Sequence, residues 1–261
     1  MVDVLYPGVA RAAVQLLERA GAVVNVPPDQ GCCGQPAFNA GYRDEARRLA
    51  YCFLGRFAPP VERGEVDAVV APGGSCVAMV KRHFPRLLED DPAAHERALS
   101  IAALTHELSE YLVDVLGFDA APARFDGRIA FHPSCHLLRE LGISAAPRAL
   151  LARIPGAELV ELPEARECCG FGGLFAVGNA PISVAIGARK VANAEASGAD
   201  VLAVCDVSCM THLNGLFERR GSRCRAVHLA ELLAGTAPQP HARITAGADA
   251  TPAVLEAHRA R

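Results

Sequence analysis

Short β-branched runs alternate along this chain with longer stretches in which apolar residues recur every three or four positions. That alternation predicts an α/β fold built on parallel sheets. Val9, Ala13, Leu16 and Leu17 share one face of a helix predicted over 7–20, with Gly21 as its stop. A strand is predicted over 22–26, a helix over 42–57, and a strand over 67–71 that runs into Pro72-Gly73-Gly74-Ser75-Cys76. Helices at about 76–88, 93–104 and 106–116 complete a first half. A second half opens at Arg128, with strands over 129–132, 157–162 and 201–204 and helices near 146–153 and 181–197. Residues 1–119 and 128–235 therefore read as two pseudo-repeated α/β units, joined by Ala120-Ala121-Pro122-Ala123-Arg124. The remainder, 236–261, is rich in Ala, Pro, Thr and Gly and reads as a loosely held tail.

Composition narrows the class. Apolar residues make up 51% and charged residues 21%, an ordinary globular balance. Aromatics are only 5% and Trp is absent, so an aliphatic core is expected. A net charge of −3 without a basic run gives nucleic-acid binding no support. No apolar run is long enough to cross a bilayer, and MVDVLYPGVARAAV has no charged leader followed by a long apolar stretch. Ten cysteines in such a chain point to a reducing compartment, and the chain reads as cytoplasmic.

The cysteines carry the chemistry. Cys32-Cys33-Gly34 recurs as Cys168-Cys169-Gly170, and each copy is followed by Ser-Cys, at Ser75-Cys76 and Ser208-Cys209. Cys33 to Cys76 is 43 positions and Cys169 to Cys209 is 40, so both halves share one frame. Adjacent cysteines make a strained disulfide but a good soft-metal clamp. Each group is expected at the carboxyl end of a strand, the edge where loops of a parallel sheet build sites. In the second half Cys135, Cys168, Cys169, Cys205 and Cys209 offer thiolates from three strand ends, enough for a 4Fe-4S cluster. Zinc held by four thiolates is the chemical competitor, and cysteines buried as small hydrophobes are the bland reading. The first half offers Cys32, Cys33 and Cys76 alone, a second metal site whose three thiolates do not close a cubane, and Gly73 rules out a Cys-x-x-Cys there. Cys52 and Cys224 read as packing residues.

Other candidates are weaker. His132, His136 and His212 lie near these cysteines and could ligate metal or move protons, or simply stabilise turns. Gly170-Phe171-Gly172-Gly173 lacks the Lys and register of a phosphate loop, and its glycines are expected to let backbone N–H groups approach sulfur. Arg189-Lys190 reads as a solvated face. There is no flavin or nicotinamide fingerprint and no supported Ser-His-Asp set, which favours electron transfer or a site completed by partner subunits.

The twofold Cys…Cys-Cys-Gly…Cys frame resembles the cysteine-rich CCG domain family of iron–sulfur proteins. The run from Cys32-Cys33-Gly34-Gln35-Pro36 to Gly41-Tyr42 is similar to its lactate-utilisation branch. So are Pro72-Gly73-Gly74-Ser75-Cys76, His132-Pro133-Ser134-Cys135-His136, and Glu167-Cys168-Cys169-Gly170-Phe171-Gly172-Gly173 with Phe175. The resemblance runs from residue 1 to about 235 and implies an iron–sulfur subunit of a system oxidising L-lactate to pyruvate, working with other cluster-bearing subunits or an electron carrier. It implies Cys135, Cys168, Cys169 and Cys209 as ligands, with Cys205 and Asp206 competing for a fifth place. Asp206 enters because it stands where heterodisulfide reductase relatives keep the first cysteine of Cys-x-x-Cys. Relatives also carry a strand and a cysteine ahead of the segment matching Met1-Val2-Asp3, so either the true start lies upstream or the first site has lost a ligand. Two other functions stay open: an electron-transfer subunit of a glycolate or heterodisulfide oxidoreductase, and a zinc-stabilised scaffold without redox turnover.

Overall fold

In the computed structural model, residues 2–119 and 123–238 are described. Residues 120–122 of the expected linker and 239–261 of the expected tail lie outside that range. Among the described residues six strands form two parallel sheets. β1 (Val69–Ala71) pairs with β2 (Thr105–Glu107), Val69 opposite Thr105. β3 (Gly127–His132), β4 (Ala157–Val160), β5 (Val201–Val204) and β6 (Arg225–His228) form a second sheet in the order β4-β3-β5-β6.

Strand alternation sorts the side chains of this second sheet. Ile129, Phe131, Val201, Ala203 and Val227 face one layer with Leu16, Leu150 and Leu229. Ala130, Leu202, Val204 and Ala226 face the other with Val191, Leu213 and Phe217. Both faces are covered, so all four β5 residues are buried. The helix Pro7–Arg19 places Ala12, Ala13, Leu16 and Leu17 in the core of the second sheet, so the halves share a core. A third cluster joins Ala46, Ala50 and Leu54 of the helix Arg43–Glu62 to Phe84, Leu88, Ala98 and Ile101. The core is mainly aliphatic, yet Phe84, Phe125, Phe131 and Phe217 are among its largest fully buried side chains. Among the described residues no helix is long and apolar enough to cross a membrane.

Several expectations change. No strand forms over 22–26: Ala22 and Val24 pack on the core, but Val23 is fully exposed. Its counterpart β4 is held only by β3, and no described strand fills the β3 position beside β1, so 22–26 has no ladder to join. Residues 105–107, expected near the start of a helix, are taken as β2 by pairing with β1. Helical structure then starts at Leu108, where the Glu107 carboxylate accepts from the N–H groups of Ser109 and Glu110 in a capping box. The helix expected to end at 57 continues through Pro59 and Pro60 to Glu62, carried by buried Ala58. Thr236 and Ala237 donate to the Glu231 carbonyl and Ala237 is buried, so the start of the expected tail is held.

The halves are joined by one buried carboxylate. Asp206 follows β5 and starts the helix Val207–Arg219, but its side chain does not cap that helix. Asp206 Oδ1 accepts from Ser75 N–H at 3.1 Å and Ser75 Oγ–H at 2.6 Å. Oδ2 accepts from the Ser134 hydroxyl. Loops after β1, β3 and β5 are thereby tied at one point. Beside it Gly74 meets Leu137 so closely that a Cβ would lie 2.8 Å from the Leu137 Cβ.

Two outcomes follow from buried carboxylates. Asp206→Ala strands the buried Ser134 hydroxyl and the half-buried Ser75 hydroxyl and should lower stability by about 1–3 kcal/mol, seen as a lower urea midpoint; an unmoved midpoint contradicts the clasp. Burial pushes Glu107 up to about 7, against the bonds from Ser109 and Glu110. The folded chain thus keeps a proton that the unfolded chain loses from the ordinary carboxylate range upward. That contribution is full below about pH 4.5 and is lost as pH rises to about 7. His132 and His228, both held down to about 4 by burial, act in the opposite sense, so a variant comparison isolates Glu107. Over that window the Tm of Glu107→Gln, relative to wild type, should rise with pH, whereas parallel Tm curves contradict this.

Candidate metal centre

Three strand ends deliver the second cysteine group. β3 runs out at His132 and leads to Ser134 and Cys135, the loop after β4 brings Cys168-Cys169, and the helix after β5 carries Cys209. Cys169 Sγ and Cys209 Sγ are 3.0 Å apart, and the Gly170 N–H donates to Cys168 Sγ at 3.2 Å. Gly170 is required here: its φ is +92°, and a Cβ would lie 2.5 Å from the Ser183 carbonyl oxygen. Cys135, Cys168, Cys169 and Cys209 line one cavity together with Ser134 and Asp206. Ligand atoms of His132, Cys169 and Cys209 lie within 4.8 Å of one another.

The electrostatics suit a cation. A bond from Cys135, then one from Cys169, pulls the Cys168 thiol down to about 2. The same bonds push Cys135 and Cys169 up, as do burial and, for Cys169, the bond to Cys209. One thiolate is thus favoured in a buried set, and a bound cation would let its neighbours deprotonate. His132 is fully buried and both its ring nitrogens lack a hydrogen-bond partner. Such orphans are rare in folded proteins, and this one lies beside the thiols of Cys169 and Cys209. Four thiols around one cavity, with the His132 imidazole beside two of them, fit a thiophilic metal or an iron–sulfur cluster.

The first half repeats the geometry in part. Cys33 Sγ and Cys76 Sγ are 3.3 Å apart, the Gly34 N–H donates to Cys32 Sγ at 3.4 Å, and Gly34 has φ +82°. The bond from Cys33 pulls Cys32 down to about 6 and pushes Cys33 up. Among the described residues nothing stands in for Cys135 or His132, and Cys32 and Cys76 are exposed.

The remaining candidates separate. Cys205 is fully buried with Val201 and Ala203 on the opposite side of the sheet, and burial pushes its thiol up. Asp206 lines the cavity with both oxygens engaged by serines. His136 lies between the halves, Nδ1 3.7 Å from Cys135 Sγ and Nε2 2.9 Å from Gln35 Nε2. His212 stabilises the loop, its Nε2 3.3 Å from the carbonyl of Ser183, whose hydroxyl donates to the Gly170 carbonyl. Cys224 is buried as expected, whereas Cys52 is exposed because its helix buries Ala46, Ala50, Leu54 and Ala58 instead.

Arg189-Lys190 is not a solvated face: Arg189 is exposed, but Lys190 is 1% exposed. The buried stripe of its helix, Ser183, Gly187, Lys190, Val191 and Ala194, has helical spacing and could have revealed it. Gln35, Ser75 and Ser134 were also unforeseen. The recurrence of Ser-Cys at 75, 134 and 208 was the signal for the two serines.

A family model, the CCG cysteine-rich domain, matches residues 1–81 and 129–214, once in each half. The chain is 42% identical over 233 residues to lactate utilization protein A of Geobacillus kaustophilus, covering 89% of this chain and 95% of that protein. It is 43% identical over 233 residues to lactate utilization protein A of Macrococcus caseolyticus, covering 89% and 92%. For the protein of that name in an Exiguobacterium species the identity is 41% over 231 residues, covering 88% and 92%. Doubled Cys-Cys-Gly loops, sulfur pairs of matching geometry and family matches to both halves lead to one conclusion: this chain belongs to the cysteine-rich CCG domain family.

Proposed function

We propose that this chain is the iron–sulfur subunit of a cytoplasmic system that oxidises L-lactate to pyruvate, and that it carries electrons rather than completing the reaction alone. The observation that carries the reading is the convergence of Cys135, Cys168, Cys169 and Cys209 on one cavity. It occurs in a chain similar along most of its length to proteins named for lactate utilization. These four cysteines would hold a 4Fe-4S cluster, which when bound supplies one-electron chemistry. Gly170 turns its N–H toward Cys168, His132 offers an unpartnered imidazole, and Asp206 fixes the loops that bear the sulfurs. For a fifth contact Asp206, which lines the cavity, is the better placed alternative, and Cys205 lies on the opposite side of the sheet. Cys32, Cys33 and Cys76 would form a second metal site with three thiolates, one fewer than a 4Fe-4S cluster takes.

Lactate gives up two electrons and protons, and no organic-cofactor motif is present to take them, so partner subunits are required to complete the reaction. A surface for such a partner adjoins the cavity. Residues 168–188 contain no charged side chain, and Leu174, Phe175, Val177, Ile182 and Val184 are exposed within that run. The two halves are assigned to 1–119 and 128–235. A second reading, zinc in a structural role, is favoured by the His132, Cys169 and Cys209 grouping, which needs one more donor for a tetrahedral site.

Protein purified without oxygen should be brown and hold about four irons per chain in the second half. Cys168→Ser or Cys169→Ser should abolish that iron. Colourless protein with stoichiometric zinc would sink the proposal. A deletion strain should fail to grow on lactate while growing on glycolate; the reverse pattern assigns the chain to glycolate oxidation.

A further inference from the structure

Lysine is almost never fully buried unless its charge is paired or used, because removing an ammonium from water is costly. Lys190 is 1% exposed in the inward stripe of the helix Ala180–Ala196. Its Nζ donates to the Glu164 carbonyl at 2.6 Å and to the Ala165 carbonyl at 3.3 Å. These carbonyls belong to the loop that leads into Cys168-Cys169. The same helix grips the Glu164 carboxylate, through Arg189 Nε at 2.7 Å and Asn193 Nδ2 at 2.9 Å. Glu164 holds φ +49°, a conformation unusual for a residue with a side chain, so the loop is fixed against a backbone cost.

Carbonyls satisfy donors but do not cancel a charge. Lys190 and Cys168 line the same cleft of about 100 Å³, with Glu167 and Ile186. Burial draws the Lys190 pKa down, while Glu167, Glu164, Cys169 and Cys168 act to keep it charged. A methionine would fill the stripe without the desolvation cost, so the ammonium needs a use.

We propose that Lys190 sets the reduction potential of the second-half centre by holding a positive charge beside Cys168 and Cys169, where burial weakens solvent screening. The proposal rests on the iron–sulfur reading above. A thiolate-bound cluster gains negative charge on reduction, and cluster potentials respond to local charge and burial. A buried cation at this position stabilises the reduced form more than the oxidised one and raises the potential.

The test uses the full chain, purified anaerobically as wild type, Lys190→Met, Lys190→Arg and Arg189→Gln. Iron per chain is measured first, and the midpoint is then read from the EPR signal during a reductive titration. Lys190→Met should keep its iron and become harder to reduce, by at least tenfold in the oxidised-to-reduced ratio at fixed poise, about 59 mV for a one-electron couple. Lys190→Arg and the exposed control Arg189→Gln should stay close to wild type. A Lys190→Met protein that titrates with wild type overturns the proposal. If Lys190→Met loses iron, Lys190→Gln, which is neutral but still donates to carbonyls, is judged by the same tenfold criterion. Loss of iron from both neutral variants but not from Lys190→Arg assigns the charge to holding the centre rather than setting its potential, and overturns the proposal as well. Wild-type protein without iron refutes the iron–sulfur reading itself, a separate result visible before any variant is titrated.

Discussion

The hydrogen bonds from Ser75 and Ser134 to Asp206 are the constraint on which the arrangement depends. Parallel strands place their loops at one edge, but they do not by themselves hold loops from different sheets in register. Asp206 does so because a buried carboxylate must find donors, and the three within reach come from loops after β1 and β3. With those loops fixed, Cys135, Cys168, Cys169 and Cys209 reach one cavity, and Gln35 of the first Cys-Cys-Gly loop reaches His136 of the second half.

That convergence concentrates negative charge in a poorly solvated place. Cys168 and Asp206 share the cavity, and burial together with the Asp206 charge holds a proton on the nearby Glu107. The compensation comes from the Gly170 N–H, serine hydroxyls, the Glu107 capping box and the ammonium of Lys190. The unpartnered His132 imidazole remains, beside Cys169 and Cys209. The fold thus gathers four thiols around one cavity, sets an imidazole beside two of them and holds a cation in a neighbouring cleft that Cys168 also lines, a set of groups with little structural purpose unless something electrophilic binds there.

Much of this was legible in the chain. The helix over 7–19 followed from its spacing, β3 and β5 from continuous apolar runs, and the pseudo-repeat from the doubled Cys-Cys-Gly. What escaped was decided by partners distant in sequence. Residues 22–26 look like a strand but have no neighbour to pair with, while the polar Thr105, His106 and Glu107 become one because β1 lies alongside. Asp206 stood out in the sequence as a candidate ligand, but its clasp on Ser75 and Ser134 joins loops far apart in the chain and could not be read there. Lys190 looked solvated because its neighbour Arg189 is, although its own spacing put it in the buried stripe.

The central claim is that the second-half cysteines hold iron and sulfur. An iron-edge X-ray absorption spectrum of the anaerobically purified full chain addresses it most directly. The account predicts a first shell dominated by sulfur, with a second shell of neighbouring iron atoms, both lost when Cys169 is replaced by Ser. A first shell of only oxygen and nitrogen, or absorption at the zinc edge without iron, would contradict it.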